Sequence, residues 1–157
     1  MIKRLLALIM CLTVIIGGST ALCEDSKVFI LCNPETPVNV RKSPKRGSEI
    51  IGRLDFGDWT ETDGKERNGY VHVINITEEG EGWIFAGYIV EDEPKRTENA
   101  WASISASGRV MTYRWIAGKR NGWVHVCDTV KVYALSEEWA VTSKGYIRTK
   151  YLEVWYE

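Results

Sequence analysis

Histidine is scarce in this chain of 157 residues, which holds two, His72 and His125. It is the side chain most often used to move protons near neutral pH. Each lies between two valines in a strand-like run, and alternation turns it away from them, toward solvent. No Cys-x-x-Cys pair or Cys/His cluster suggests a metal. No glycine-rich loop follows a strand and opens a helix, so no nucleotide or other cofactor is expected. An excess of one charge is also lacking: 20 lysines and arginines meet 21 aspartates and glutamates. That balance argues against a nucleic-acid partner, which usually selects a strong basic excess. Past residue 26 no stretch carries a convincing helical period.

A long hydrophobic run is missing too. The one apolar segment, Leu5 to Ile16, is about 12 residues long, short of the roughly 20 needed to cross a bilayer as a permanent helix. It follows Lys3 and Arg4 and precedes the small residues Gly17 to Ala21. That order predicts a secretory signal peptide over residues 1–23. Cleavage after Ala21 and cleavage after Cys23 both satisfy the small-x-small rule. Leu22 stands where lipid modification of Cys23 would want a small residue, so a lipid anchor is not expected. Loss of Lys3 and Arg4 takes the net charge from −1 to −3. The leader carries Cys11 away. The cut site then decides whether Cys23 remains beside Cys32 and Cys127. Outside the cell a Cys32–Cys127 disulfide can persist, and the alternative is two small buried hydrophobes.

What is abundant is aromatic: seven tryptophans and seven tyrosines. Large rings suit small β-barrels, which have few other ways to fill a core. A barrel of about 60 residues sits near the lower size limit for folding unaided. Val38-Asn39-Val40, Tyr70-Val71-His72-Val73 and Thr129-Val130-Lys131-Val132 alternate with period two, as half-buried strands do. Gly, Asn, Asp and Ser separate such runs throughout. Many short strands with frequent turns predict an all-β sandwich or barrel. The charged stretch 91–99, with Pro94 and no large apolar residue, reads as a linker between halves 27–90 and 100–157.

The halves repeat, and two registers compete. One matches Asn68-Gly69-Tyr70-Val71-His72-Val73 to Asn121-Gly122-Trp123-Val124-His125-Val126, but neither flank continues it. The other matches Gly57-Asp58 to Cys127-Asp128, Tyr70 to Trp139, and Gly82-Trp83-Ile84-(x3)-Tyr88 to Gly145-Tyr146-Ile147-(x3)-Tyr151. The second aligns both ends and is preferred. It gives the first half about six extra residues around 75–80, a longer hairpin tip.

These residues resemble the bacterial SH3 domain family. The first half shows Val38-Asn39-Val40-Arg41-x-x-Pro44, Ile50-Ile51-Gly52-x-Leu54-x-x-Gly57-Asp58, Asn68-Gly69-Tyr70 and the closing Gly82-Trp83-Ile84-x-x-x-Tyr88-Ile89. The second half is a divergent copy, with Cys127 where the pattern has glycine. The resemblance implies two small SH3-like barrels in tandem, each closing through a short 3₁₀ turn. It also implies recognition of peptidoglycan or cell-wall peptides in an aromatic groove. The groove residues it suggests are Arg41, Trp59, Tyr70, Trp83 and Tyr88 in the first half. In the second they are Arg114, Trp115, Trp139, Tyr146 and Tyr151. Core packing competes with ligand contact at each. Trp115 and Trp155 fit a core pattern least, and Trp115, in a loop, is the foremost surface aromatic.

Rival chemistries are thin. Cys127 and His125 share a strand face but have no third group to orient them. Asp55 and Asp58, and Glu78, Glu79 and Glu81, read as turn and hairpin-tip charges. Lys42, Lys45 and Arg46 cluster in a loop that is either solvated or touches an anionic polymer. The expectation is therefore a secreted, non-enzymatic binding protein whose partner is wall peptide or, alternatively, an envelope protein.

Overall fold

The computed structural model describes residues 26–76 and 80–157. The expected leader, its two cut sites, and Glu78 and Glu79 lie outside the described residues. Short strands form wherever apolar and polar residues alternate. In the first half these are β1 (Ser26–Ile30), β2 (Val38–Arg41), β3 (Ile50–Leu54), β4 (Trp59–Arg67), β5 (Tyr70–Ile76), β6 (Gly80–Phe85) and β7 (Ile89–Val90). The second half has β8 (Lys95–Ile104), β9 (Arg109–Tyr113), β10 (Arg120–His125), β11 (Thr129–Leu135), β12 (Trp139–Thr142), β13 (Gly145–Arg148) and β14 (Leu152–Tyr156). A 3₁₀ turn precedes the last strand of each, at Ala86–Tyr88 and Thr149–Tyr151.

The two sheets have one topology. Their orders are β3-β2-β6-β5-β4-β1-β7 and β10-β9-β13-β12-β11-β8-β14, which superimpose strand for strand in chain order. Every pairing is antiparallel. The fold is all-β, two small SH3-like barrels in tandem.

The strand pairings place the repeat in its second register. Gly57 (φ 82°) and Cys127 (φ 70°) are both left-handed and both precede an aspartate that closes a turn. Asp58 Oδ2 accepts from the Asp55 amide, and Asp128 Oδ2 accepts from the His125 amide, each at 2.7 Å. The Asn-Gly-aromatic match joins unlike places. Asn68-Gly69 (φ 54° and 75°) is the two-residue turn between β4 and β5. Such a turn needs both residues left-handed, which Asn and Gly tolerate best. Asn121-Gly122 instead lies inside β10.

Each barrel has its own core. Ile30, Val40, Val73 and Ile84 are buried in the first, and Ala102, Val124, Val132 and Ile147 in the second. Gly82 is required where β6 crosses the core, because a Cβ there would lie 2.5 Å from Val40 Cγ1.

The expected linker is shorter than 91–99. Residues 95–99 open β8, where Lys95 and Arg96 pair with Leu135 and Ala134. Their charged side chains face solvent while the backbone pairs with β11, so composition hid the strand. Pro94 is buried. Of the two readings of Cys32 and Cys127, neither holds for both: the thiols are free, and Cys32 is buried in the first barrel's core while Cys127 is exposed at its turn.

A third cluster joins the halves. Leu31 and Val90 of the first barrel are buried with Trp139, Val141 and Tyr146 of the second. The Tyr146 hydroxyl donates to the Leu31 carbonyl at 3.0 Å, and the Ile116 amide donates to the Gly87 carbonyl at 3.0 Å. The contact is head to tail. Pairing equates Val141 and Tyr146 with His72 and Trp83, so a face that is apolar and covered in the second barrel is polar in the first.

Candidate functional site

The suggested groove residues scatter. Tyr70 is buried, edge-on to Phe85 with centroids 5.6 Å apart. Arg41 is held in its loop, its Nη1 donating to the Ser48 carbonyl at 2.7 Å. Tyr88 lies against Tyr146 across the barrel interface, 6.5 Å between centroids. Burial pushes the Tyr88 phenol up, and the Tyr146 phenol likewise. Trp139 and Tyr146 are buried. These five side chains build and join the barrels.

Trp115 is a correction. Its loop is not free surface: the indole packs edge-on against Phe85, 5.3 Å between centroids, and lies over Gly87. A Cβ on Gly87 would come 2.5 Å from Trp115 Cδ1. The sequence showed an aromatic without a core role in its own barrel, and its role is in the other barrel. Arg114 beside it is exposed. Trp59 is 52% exposed on β4, with Lys27 Nζ 4.5 Å from its ring centre. Trp155 is also exposed.

His72 is a second correction. Its side chain is only 11% exposed. Nδ1 stands 3.0 Å from Asp63 Oδ2, and the ring lies 4.9 Å from that of Trp83, its partner on β6. A bulge in β4 between Thr62 and Glu66 brings Asp63 over the ring, which alternation alone does not reveal. The bond from Lys65, joined by that of His72, holds the Asp63 carboxyl down at about 2. Glu81 Oε2 is 3.8 Å from Nε2. Trp83 and His72 line a cleft of about 390 Å³ with Lys42, Glu49 and Ile51. Among its described lining residues there is no serine, threonine or cysteine. His125 ends β10 and Cys127 lies within the turn that follows, at φ 70°, so the two do not share a strand face; both are exposed.

The second barrel carries a groove of about 490 Å³ that sequence reasoning found only through Tyr151. Tyr113, Trp123 and Tyr151 supply its rings, and Arg109, Arg148 and Lys150 its charges. Trp123 is 47% exposed, with the Arg109 guanidinium 4.5 Å above its ring centre. No acidic side chain is among the described lining residues. The signal for it was the alternation Arg109-x-Met111-x-Tyr113 along β9, opposite Trp123 on β10.

The fold defines a pair of SH3-like barrels. Residues 36–90, the first barrel from just before β2 through β7, match the bacterial SH3 domain family. No curated protein matches the chain by sequence. Two solved structures are similar to it. NlpC2 from Trichomonas vaginalis is 17% identical with a TM-score of 0.36, over 83% of this chain and 48% of that one. NlpC1 from the same organism is 19% identical with a TM-score of 0.37, over 86% of this chain and 48% of that one. The chain spans about half the length of either. Among the described residues no helix is long and apolar enough to cross a membrane.

Proposed function

We propose that the chain is a secreted, non-catalytic protein that binds peptidoglycan or its stem peptides at the cell wall. The observation that carries this reading is the match of residues 36–90 to the bacterial SH3 domain, a family whose resemblance implies wall-peptide recognition. The leader pattern at the N-terminus supports export. Open rings beside cations, as at Trp59 and Trp123, support binding, because flat aromatic faces hold extended peptides at low entropic cost.

The test is retention of the purified chain on wall sacculi at physiological salt. Retention supports the reading. Passage through the column, together with cross-linking to one dominant envelope protein, overturns it in favour of a protein partner.

A further inference from the structure

We infer that the groove on the second barrel is the chain's peptide site and that it takes a peptide segment bearing carboxylates. This deepens the wall-peptide reading by naming the place and the charge of the ligand.

The first argument is internal. Pairing equates Arg148, Lys150 and Tyr151 with Phe85, Gly87 and Tyr88. In the first barrel the Phe85 and Gly87 positions are already covered by a turn of the chain itself, at Trp115-Ile116. Its indole packs on Phe85 and its amide donates to the Gly87 carbonyl. Gly87 has no side chain to obstruct it, and Trp115 lies where a Cβ would stand. The molecule thus displays a peptide seated on this face of one barrel. On the other barrel the same face is an open groove.

The second argument is charge. The exchange of Phe85 for Arg148 and Gly87 for Lys150 replaces an apolar seat with a cationic one. Arg109 adds a third cation from β9. Arg148 is partly engaged, paired with Glu138 and lying 4.3 Å above the Trp139 ring. Arg109 and Lys150 are exposed and rest on rings, 4.5 Å and 5.1 Å from the centres of Trp123 and Tyr151. A ring beneath a cation fixes its position without neutralising it. Cations held in this way, with no acid in the lining, select carboxylates. The rings and Met111 give a peptide backbone a surface to lie on, and the seated segment in the first barrel is a peptide. Both favour an acidic peptide over a phosphate polymer.

The experiment titrates the purified chain with the peptide acetyl-Ala-Glu-Ala-Glu, its glutamine amide analogue, and a glycerol phosphate polymer, following indole N–H signals by NMR. The acidic peptide should shift the Trp123 signal and bind at least tenfold more tightly than the amide. Arg109→Gln and Lys150→Gln, both at exposed positions, should each weaken it at least fivefold. Lys45→Gln, on the first barrel's loop, should leave it unchanged. Equal binding of acid and amide, shifts confined to Trp83, or tighter binding of the phosphate polymer would overturn the inference. Sacculus retention separates the two readings. A chain retained on the wall that ignores the peptide loses this site alone. A chain that binds the peptide but passes the wall loses the wall reading alone.

Discussion

The phenol of Tyr146, in the second barrel, donates a 3.0 Å hydrogen bond to the carbonyl of Leu31, in the first, and both residues are buried. A hydrogen bond with buried partners matters most through what is left when one partner is removed. Tyr146→Phe keeps the ring and strands the carbonyl. Its expected cost is about 1.5 kcal/mol of unfolding free energy, read by urea denaturation. An unchanged midpoint would show that the bond holds nothing.

The barrel junction should also yield to a single added methyl. Gly87→Ala places carbon against Trp115 and Phe85, at 2.5 and 2.7 Å. The expected result is two separate unfolding transitions where the parent shows one, seen by calorimetry. Gly57→Ala, where a Cβ meets nothing within 4 Å, strains the left-handed turn but should leave the junction coupled.

Cys127 stands in a left-handed conformation that its counterpart Gly57 adopts freely. A side chain there costs about 1–2 kcal/mol, and glycine gives back part of that through unfolded-state entropy. Cys127→Gly should therefore stabilise the chain by about 0.5 kcal/mol. A loss of stability in thermal melts would mean that the thiol makes a contact that offsets the strain.

Alkaline pH should loosen the first barrel. Burial, reinforced by Asp55 and Asp58, raises the Cys32 thiol from 9.0 to about 11. The folded chain then keeps a proton that the unfolded chain gives up, so stability is full below about pH 9 and falls as pH rises toward 11. The raised Tyr88 and Tyr146 phenols act in the same direction. Denaturation curves at pH 8 and pH 10.5 check this, and Cys32→Ala should flatten the lower part of the slope.

The acid limb has the opposite sign. Asp63 is held at about 2 against an ordinary 3.8, so its contribution is present above pH 4 and disappears as pH falls toward 2. Asp63→Asn should remove that part of the acid transition. A superimposable acid profile would show that the Lys65 and His72 contacts contribute no stability.

Much of this architecture was legible in short patterns. Gly57-Asp58 and Cys127-Asp128 betrayed the same turn, and the five-residue step from Trp83 to Tyr88 and from Tyr146 to Tyr151 betrayed the same closing turn. Turn geometry is local, so it leaves local marks. What was not legible is long-range. Nothing near Trp115 in sequence says that its partner is Phe85. His72 alternates as a solvent-facing residue should, and only the β4 bulge puts Asp63 over it. The charged run 95–99 reads as linker because composition reports side-chain exposure and is silent on backbone pairing. Three of the suggested groove residues misled for a related reason: Tyr70, Trp139 and Tyr146 are buried, aromatic because they fill cores and the junction, a demand that leaves the same mark as a ligand's.

The head-to-tail junction has a consequence for valency. Tandem modules usually gain avidity when two like sites engage one polymer. Here the second barrel's own loop lies across the first barrel's version of the groove, so the peptide site inferred above would give each chain a stoichiometry of one. Strong attachment to a repetitive surface must then come from the number of chains placed on it.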